Sequence, residues 1–127
     1  MSRSVESLMQ RPVWTVQPDD TLEAIEKEMV ARRLTWAPVA EAGGAVIGVV
    51  SAHDLMRFRA EHQAPDTKAW QLCSYRPLTV RADASASEAA ALMLRAGVHH
   101  LVVEGEDGGM RGVLSSLDLL HAVAANG

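Results

Sequence analysis

The sequence predicts an α/β fold in which two tandem βαββα units pack pseudo-symmetrically through their sheets. Three observations predict it. The chain matches itself at an offset of 64 residues, without a gap, from Thr15/Thr79 to Leu55/Leu119. Between those ends Val16/Val80, Asp19/Asp83, Met29/Met93, Val39/Val103, Gly44/Gly108, Gly48/Gly112, Val49/Val113, Ser51/Ser115 and Asp54/Asp118 are identical too. A fixed period of this kind marks a repeated structural unit. Within each copy the apolar spacing then switches between strand and helix periods in the same order. Finally, one copy alone is too short to bury both its sheet and its helices well, so the two copies should pack sheet against sheet.

The elements follow in order. Val13 to Val16 and Leu78 to Arg81 are short, apolar or β-branched stretches after a proline, and read as strands. Arg11-Pro12 upstream matches Arg76-Pro77 with a one-residue shift. Asp20-Thr21 and Ser85 open helices: Ser85 with Glu88 has the spacing of a capping box, and Asp20 with Glu23 a variant of it. Leu22, Ile25 and Met29, and likewise Ala89, Leu92, Met93 and Ala96, recur at helical spacing as buried stripes. Two strands follow in each copy, Trp36 to Ala40 with Ala45 to Ser51, and His99 to Glu104 with Met110 to Ser115. Gly43-Gly44 and Gly108-Gly109 supply the hairpin turns. A closing helix runs from Ala52 to about His62 and from Ser116 to about Ala125. The expected domains are residues 1–62 and 68–127, joined by a polar linker, 63–67, that contains Pro65.

Composition narrows the function classes. The chain is 48% hydrophobic and 22% charged, with only 4% aromatic residues, as expected of a globular protein with an aliphatic core. Net charge is −4. Residues 1–64 hold seven basic against nine acidic side chains and residues 65–127 five against seven, so each half carries −2. With no basic face, nucleic acid is not an expected partner. The single cysteine, Cys73, fits a reducing cytoplasm and excludes a CxxC or zinc cluster. The opening MSRSVESLMQ has no signal-peptide pattern, and no apolar run approaches the ~18 residues of a membrane helix.

The best-matched stretches are Gly48-Val49-Val50-Ser51-Ala52-His53-Asp54 and Gly112-Val113-Leu114-Ser115-Ser116-Leu117-Asp118, each running from a strand into the first turn of a helix. The glycine lets a ligand or a neighbouring backbone come close. The serine sits at the N-cap, where free N–H groups and the helix dipole favour an anion such as phosphate. The aspartate oxygens can accept hydrogen bonds from vicinal hydroxyls, as on ribose. Ser-x-x-Asp is equally close to a capping box, a reading that requires no ligand, and duplication copies caps as readily as sites.

The tandem βαββα units, the entries Pro12-Val13-Trp14-Thr15-Val16 and Pro77-Leu78-Thr79-Val80, and the two G-h-h-S-x-x-D stretches resemble cystathionine-β-synthase (CBS) domains over nearly the whole chain. The resemblance implies a Bateman module: a regulatory, non-catalytic pair binding an adenosine-containing ligand of the AMP, ADP or ATP class in clefts between the repeats. NAD or S-adenosylmethionine are alternative ligands, and a ligand-free dimerisation or assembly module is the alternative function. By position, Asp54 and Asp118 would hold ribose, with Ser51 and Ser115 near ribose or phosphate and His53 beside them. Val13, Thr15, Leu78 and Thr79 would line adenine, joined by Ala37, Pro38, Leu101 and Val102 on the middle strands. Arg33 and Arg57, with Arg32 and Arg59, are the phosphate candidates of the first repeat; His99 and His100 are those of the second. Pro38 is matched by Val102, so the two sites are not expected to be equivalent. The resemblance also implies a homodimer through the closing helices, which carry Leu55, Met56, Phe58, Leu119, Leu120 and Val123, and a regulated partner protein.

Other chemistry finds little support. Adjacent strand histidines point to opposite faces, so His99 and His100 do not share a metal ion. No nucleophile elbow or P-loop is present, so no catalytic residue and no obligatory cofactor are expected. Trp14, Trp36 and Trp70 read as core or interface residues, Trp14 lying closest to the expected adenine pocket.

Overall fold

In the computed structural model residues 3–125 are described; the outermost positions of the expected repeats, 1, 2, 126 and 127, lie outside them. The elements in chain order are α1 (Val5–Leu8), α2 (Leu22–Arg32), β1 (Trp36–Ala40), β2 (Val46–Ser51), α3 (Ala52–Ala60), α4 (Ala69–Leu72), β3 (Ser74–Tyr75), β4 (Thr79–Arg81), α5 (Ala86–Ala96), β5 (His100–Glu104), β6 (Met110–Ser115) and α6 (Ser116–Ala125).

The chain divides into two compact units, one spanning Trp14–Pro77 and the other joining the residues up to Val13 to those from Leu78 onward. They are offset from the sequence copies because the lead-in to each copy is built into the sheet of the other. In the first unit β1 and β2 are antiparallel, and β2 pairs with β3 through Gly48–Tyr75 and Val49–Ser74. In the second unit β4 and β5 are parallel and β5 and β6 antiparallel. There Gln10 takes the place of β3: it bridges Val113 with two backbone hydrogen bonds of 2.8 and 3.1 Å.

The strand expected over Val13 to Val16 is corrected by the structure to a single bridge, Val16 to Val39. The reason is Pro38. In the second unit Val102 N–H donates to Leu78 O at 3.0 Å, opening the parallel β4–β5 pairing. Pro38, the equivalent residue, has no N–H to give to Trp14. Pairing begins one residue later, where Val16 N–H donates to Pro38 O and Ala40 N–H to Val16 O, both at 2.8 Å.

Helix α2 starts one residue later than expected. Thr21, not Asp20, is the N-cap, its hydroxyl accepting from Ala24 N–H at 3.2 Å. The Asp20 carboxylate instead accepts from Gln17 N–H at 2.8 Å, tying the preceding turn. Ser85 caps α5 as expected, through Glu88 N–H.

Each unit has its own core. Leu22, Ile25, Met29, Val16, Val39, Val50, Leu55 and Phe58 close the first. Met93, Leu101, Val103, Leu114, Leu119 and Val5 close the second. Ala96, expected in the stripe of α5, is exposed. Of the six closing-helix residues expected to face a partner, Leu55, Phe58 and Leu119 are buried in these cores, whereas Met56, Leu120 and Val123 are exposed.

Candidate functional site

The Ser-x-x-Asp stretches form reciprocal caps. Ser51 Oγ accepts from Asp54 N–H and Asp54 Oδ2 from Ser51 N–H, each at 3.1 Å. In the second unit Ser115 Oγ accepts from Asp118 N–H at 3.1 Å and Asp118 Oδ2 from Ser115 N–H at 2.8 Å. Each box satisfies two backbone donors that the start of a helix otherwise leaves unpaired. Capping does not exhaust the aspartates, because a carboxylate offers about four lone-pair sites and the box uses one.

The second oxygen distinguishes the units. Asp54 Oδ1 faces Arg57 Nη2 at 3.6 Å, with half of the arginine side chain exposed. An ion pair this open contributes under about 1 kcal/mol and is easily exchanged for a ligand. Asp118 Oδ1 instead accepts a 2.8 Å hydrogen bond from Gln10 Nε2. Gln10 is a residue that sequence reasoning missed, because 108 positions separate the partners and only the folded lead-in brings them together.

The expected lining residues divide by element. Ala37 and Pro38 are buried on β1, and Leu101 and Val102 on β5, so their side chains belong to the interior. Val13, Thr15 and Thr79 are half-buried, while Leu78 is exposed. Trp14 packs against the first core and carries the Arg32 guanidinium 5.2 Å over its ring. The arginines do not converge. Arg32 also pairs with Glu28 at 2.9 Å and Arg59 with Glu26 at 3.0 Å. Arg33 and Arg59 line a groove of ≈ 600 Å³ between α2 and α3, with Met29, Leu34, Leu55 and Met56. Arg33 ends α2 in the left-handed conformation, φ 56°, where the second unit has Gly97, a strained choice for a side-chain-bearing residue. Among the four, only Arg57 reaches the Ser51–Asp54 box.

His53 and His99 are exposed. His100 is half-buried, and burial, then the neighbouring His99, push its pKa below the ordinary histidine value, with Asp118 opposing. It therefore stands largely neutral at pH 7 and supplies no fixed positive charge. Burial likewise raises the Cys73 thiol, against a hydrogen bond from Tyr75, which leaves little reactive thiolate. Among the described residues no group of three or more His, Cys, Asp or Glu is placed to hold a metal ion, and no helix is long and apolar enough to cross a membrane.

The fold has known counterparts. A CBS domain protein from Pyrobaculum aerophilum complexed with AMP matches with a TM-score of 0.86 and 25% identity, over 97% of this chain and 99% of that one. A CBS domain pair in complex with 5′-methylthioadenosine and S-adenosyl-L-methionine matches over 100% of both chains, with a TM-score of 0.90 and 13% identity. An uncharacterized 17.7 kDa protein of Acidianus ambivalens is 24% identical over 97% of this chain and 74% of its own length. The chain spans between 24% and 44% of four longer curated relatives. The CBS domain family model matches twice, over residues 5–61 and 69–125, at the same 64-residue offset that the sequence repeats show. By those two matches the chain belongs to the CBS domain family, as a tandem pair.

Proposed function

We propose that this chain is a regulatory, non-catalytic module that binds an adenine nucleotide of the AMP, ADP or ATP class. The observation that carries the reading is the Ser51–Asp54 box. It leaves Asp54 Oδ1 outside the cap, beside a helix N-terminus, with one half-exposed cation, Arg57, 3.6 Å away. The carboxylate suits the ribose hydroxyls, and the helix start and Arg57 suit phosphate. Thr15 and the edge of Trp14, with Thr79 and Leu78 in the second unit, are the surfaces offered to adenine. The AMP and S-adenosyl-L-methionine complexes of the similar structures support an adenosine-containing ligand. No step of bond making is assigned to any residue, and the output passes to a partner protein.

Thermal melts with AMP, ADP, ATP and S-adenosylmethionine test this. A ligand at a hundred times its dissociation constant stabilises the folded state by about 2.7 kcal/mol. Stabilisation by one or more of them is expected. No response to any of the four overturns the reading and leaves an assembly module.

A second copy is proposed as a partner. Val30 on α2, Met56 on α3, Leu94 on α5 and Leu120 on α6 are each at least 60% exposed, more large apolar surface than isolated helices of this length ordinarily leave to water. Light scattering at micromolar concentration should return about twice 13.7 kDa, and Met56→Lys with Leu120→Lys should shift the mass toward the monomer. A monomeric mass for the unaltered chain excludes the homodimer.

A further inference from the structure

The two aspartates differ in what already holds them, and the difference bears on the ligand reading above, on which this inference rests. Gln10 and Ser74 occupy equivalent positions, 64 residues apart, each on the segment that edges a sheet beside Val113 or Val49. Ser74 is too short to cross to Asp54, so the Asp54 Oδ1 atom faces only the loose Arg57 contact at 3.6 Å. Gln10 is long enough, and its amide donates to Asp118 Oδ1 at 2.8 Å. Asp118 Oδ2 is already taken by Ser115 N–H at 2.8 Å. Both carboxylate oxygens of the second unit are thus engaged by the protein's own donors. The Gln10 backbone is fixed by its two hydrogen bonds to Val113, which sets the point from which the side chain reaches the carboxylate.

A vicinal diol gripping a carboxylate presents one O–H to each oxygen. At Asp54 the Oδ1 atom is open to such a donor; at Asp118 the Gln10 amide stands where that hydroxyl would go. We propose that Gln10 is a specificity-determining residue of the Asp118 site. It substitutes for one ligand hydroxyl, so this site discriminates poorly between a ribose and a 2′-deoxyribose and binds the ribose more weakly than the Asp54 site does.

The experiment is calorimetric titration of AMP and 2′-deoxy-AMP into the full chain carrying Asp54→Asn, with and without Gln10→Ser, the residue the other unit has at this place. With Gln10 present, the two nucleotides should bind within about threefold of each other. With Gln10→Ser, AMP should tighten about tenfold and 2′-deoxy-AMP should not, since the hydroxyl no longer displaces a hydrogen bond to a charged group. Unchanged or weakened AMP binding in Gln10→Ser overturns the proposal. In the ¹⁵N-labelled unaltered chain the Gln10 side-chain NH₂ signals should move on adding AMP, a readout that does not depend on the variant folding; signals unmoved by AMP at saturation overturn it too. Failure of the nucleotide reading looks different: the chain with Asp54 and Gln10 both intact then shows no melting response to AMP, ADP, ATP or S-adenosylmethionine.

Discussion

Replacing Gly48 or Gly112 by valine should cost each unit about 3 kcal/mol or more. A Cβ on Gly48 would stand 2.6 Å from Ser74 O and 2.8 Å from Cys73 Sγ; on Gly112 it would stand 2.8 Å from both Gln10 O and Met9 Sδ. The sulfur atoms can swing away, but the carbonyls belong to backbone paired to the same strand. Gln10 is fixed by hydrogen bonds to Val113, and Ser74 is registered on Val49. Even alanine has to push that segment outward, and overpacking a well-filled site costs typically 1–3 kcal/mol. Valine adds two methyl groups to the same clash. Urea denaturation of Gly48→Ala, Gly48→Val and the matching Gly112 pair measures it. A loss below about 0.5 kcal/mol for valine would show that the edge segment is not held where the structure puts it. The close approach that a strand glycine permits here is thus by a neighbouring backbone, one of the two alternatives legible in the sequence.

Much of the architecture was readable because the repeat is long and its helices are periodic. The 64-residue offset placed Ser51 on Ser115 and Asp54 on Asp118; β1, β2, β5, β6, α3 and α6 lie within a residue or two of their expected limits, and α2 and α5 begin within a residue of their expected starts. The losses have physical causes. Helices α1 and α4 are four residues each, too short to show a period, and the two-residue β3 has none either. The same offset relates them, Val5 to Ala69 and Leu8 to Leu72, but only Leu8/Leu72 is an identity, so the match fades before Thr15. That the lead-in of one copy edges the sheet of the other is invisible to local pattern, because it depends on chain reversal over distances such as Gln10 to Val113. Pro38 was visible as a departure from Val102. Its consequence, a strand reduced to one bridge, follows only once the partner carbonyl is known. For the site, the sequence marked Asp54 and Asp118 but could not show that each caps its helix with Oδ2 and turns Oδ1 to a different neighbour, Arg57 or Gln10.

That division of oxygens makes Asp→Asn the informative substitution, and Asp54→Asn should weaken nucleotide binding about 10- to 100-fold while leaving the melting temperature nearly unchanged. Asparagine keeps an oxygen that can accept from Ser51 N–H, so the reciprocal cap of α3 survives. It surrenders the negative charge that strengthens bonds to two hydroxyls, and hydrogen bonds to charged groups contribute about 1.5–3 kcal/mol. Asp54→Ala would confuse the matter, since losing a cap costs roughly 1 kcal/mol of stability in its own right. Asp118→Asn should do less. Its second oxygen is already engaged by Gln10, and among the described residues no arginine or lysine pairs with it, while burial lowers the pKa of the neighbouring His100. Calorimetric titration and thermal melts on the two Asn variants, run together, read affinity and stability separately. Affinity untouched in both Asp54→Asn and Asp118→Asn would reduce the aspartates to caps and turn the function toward assembly.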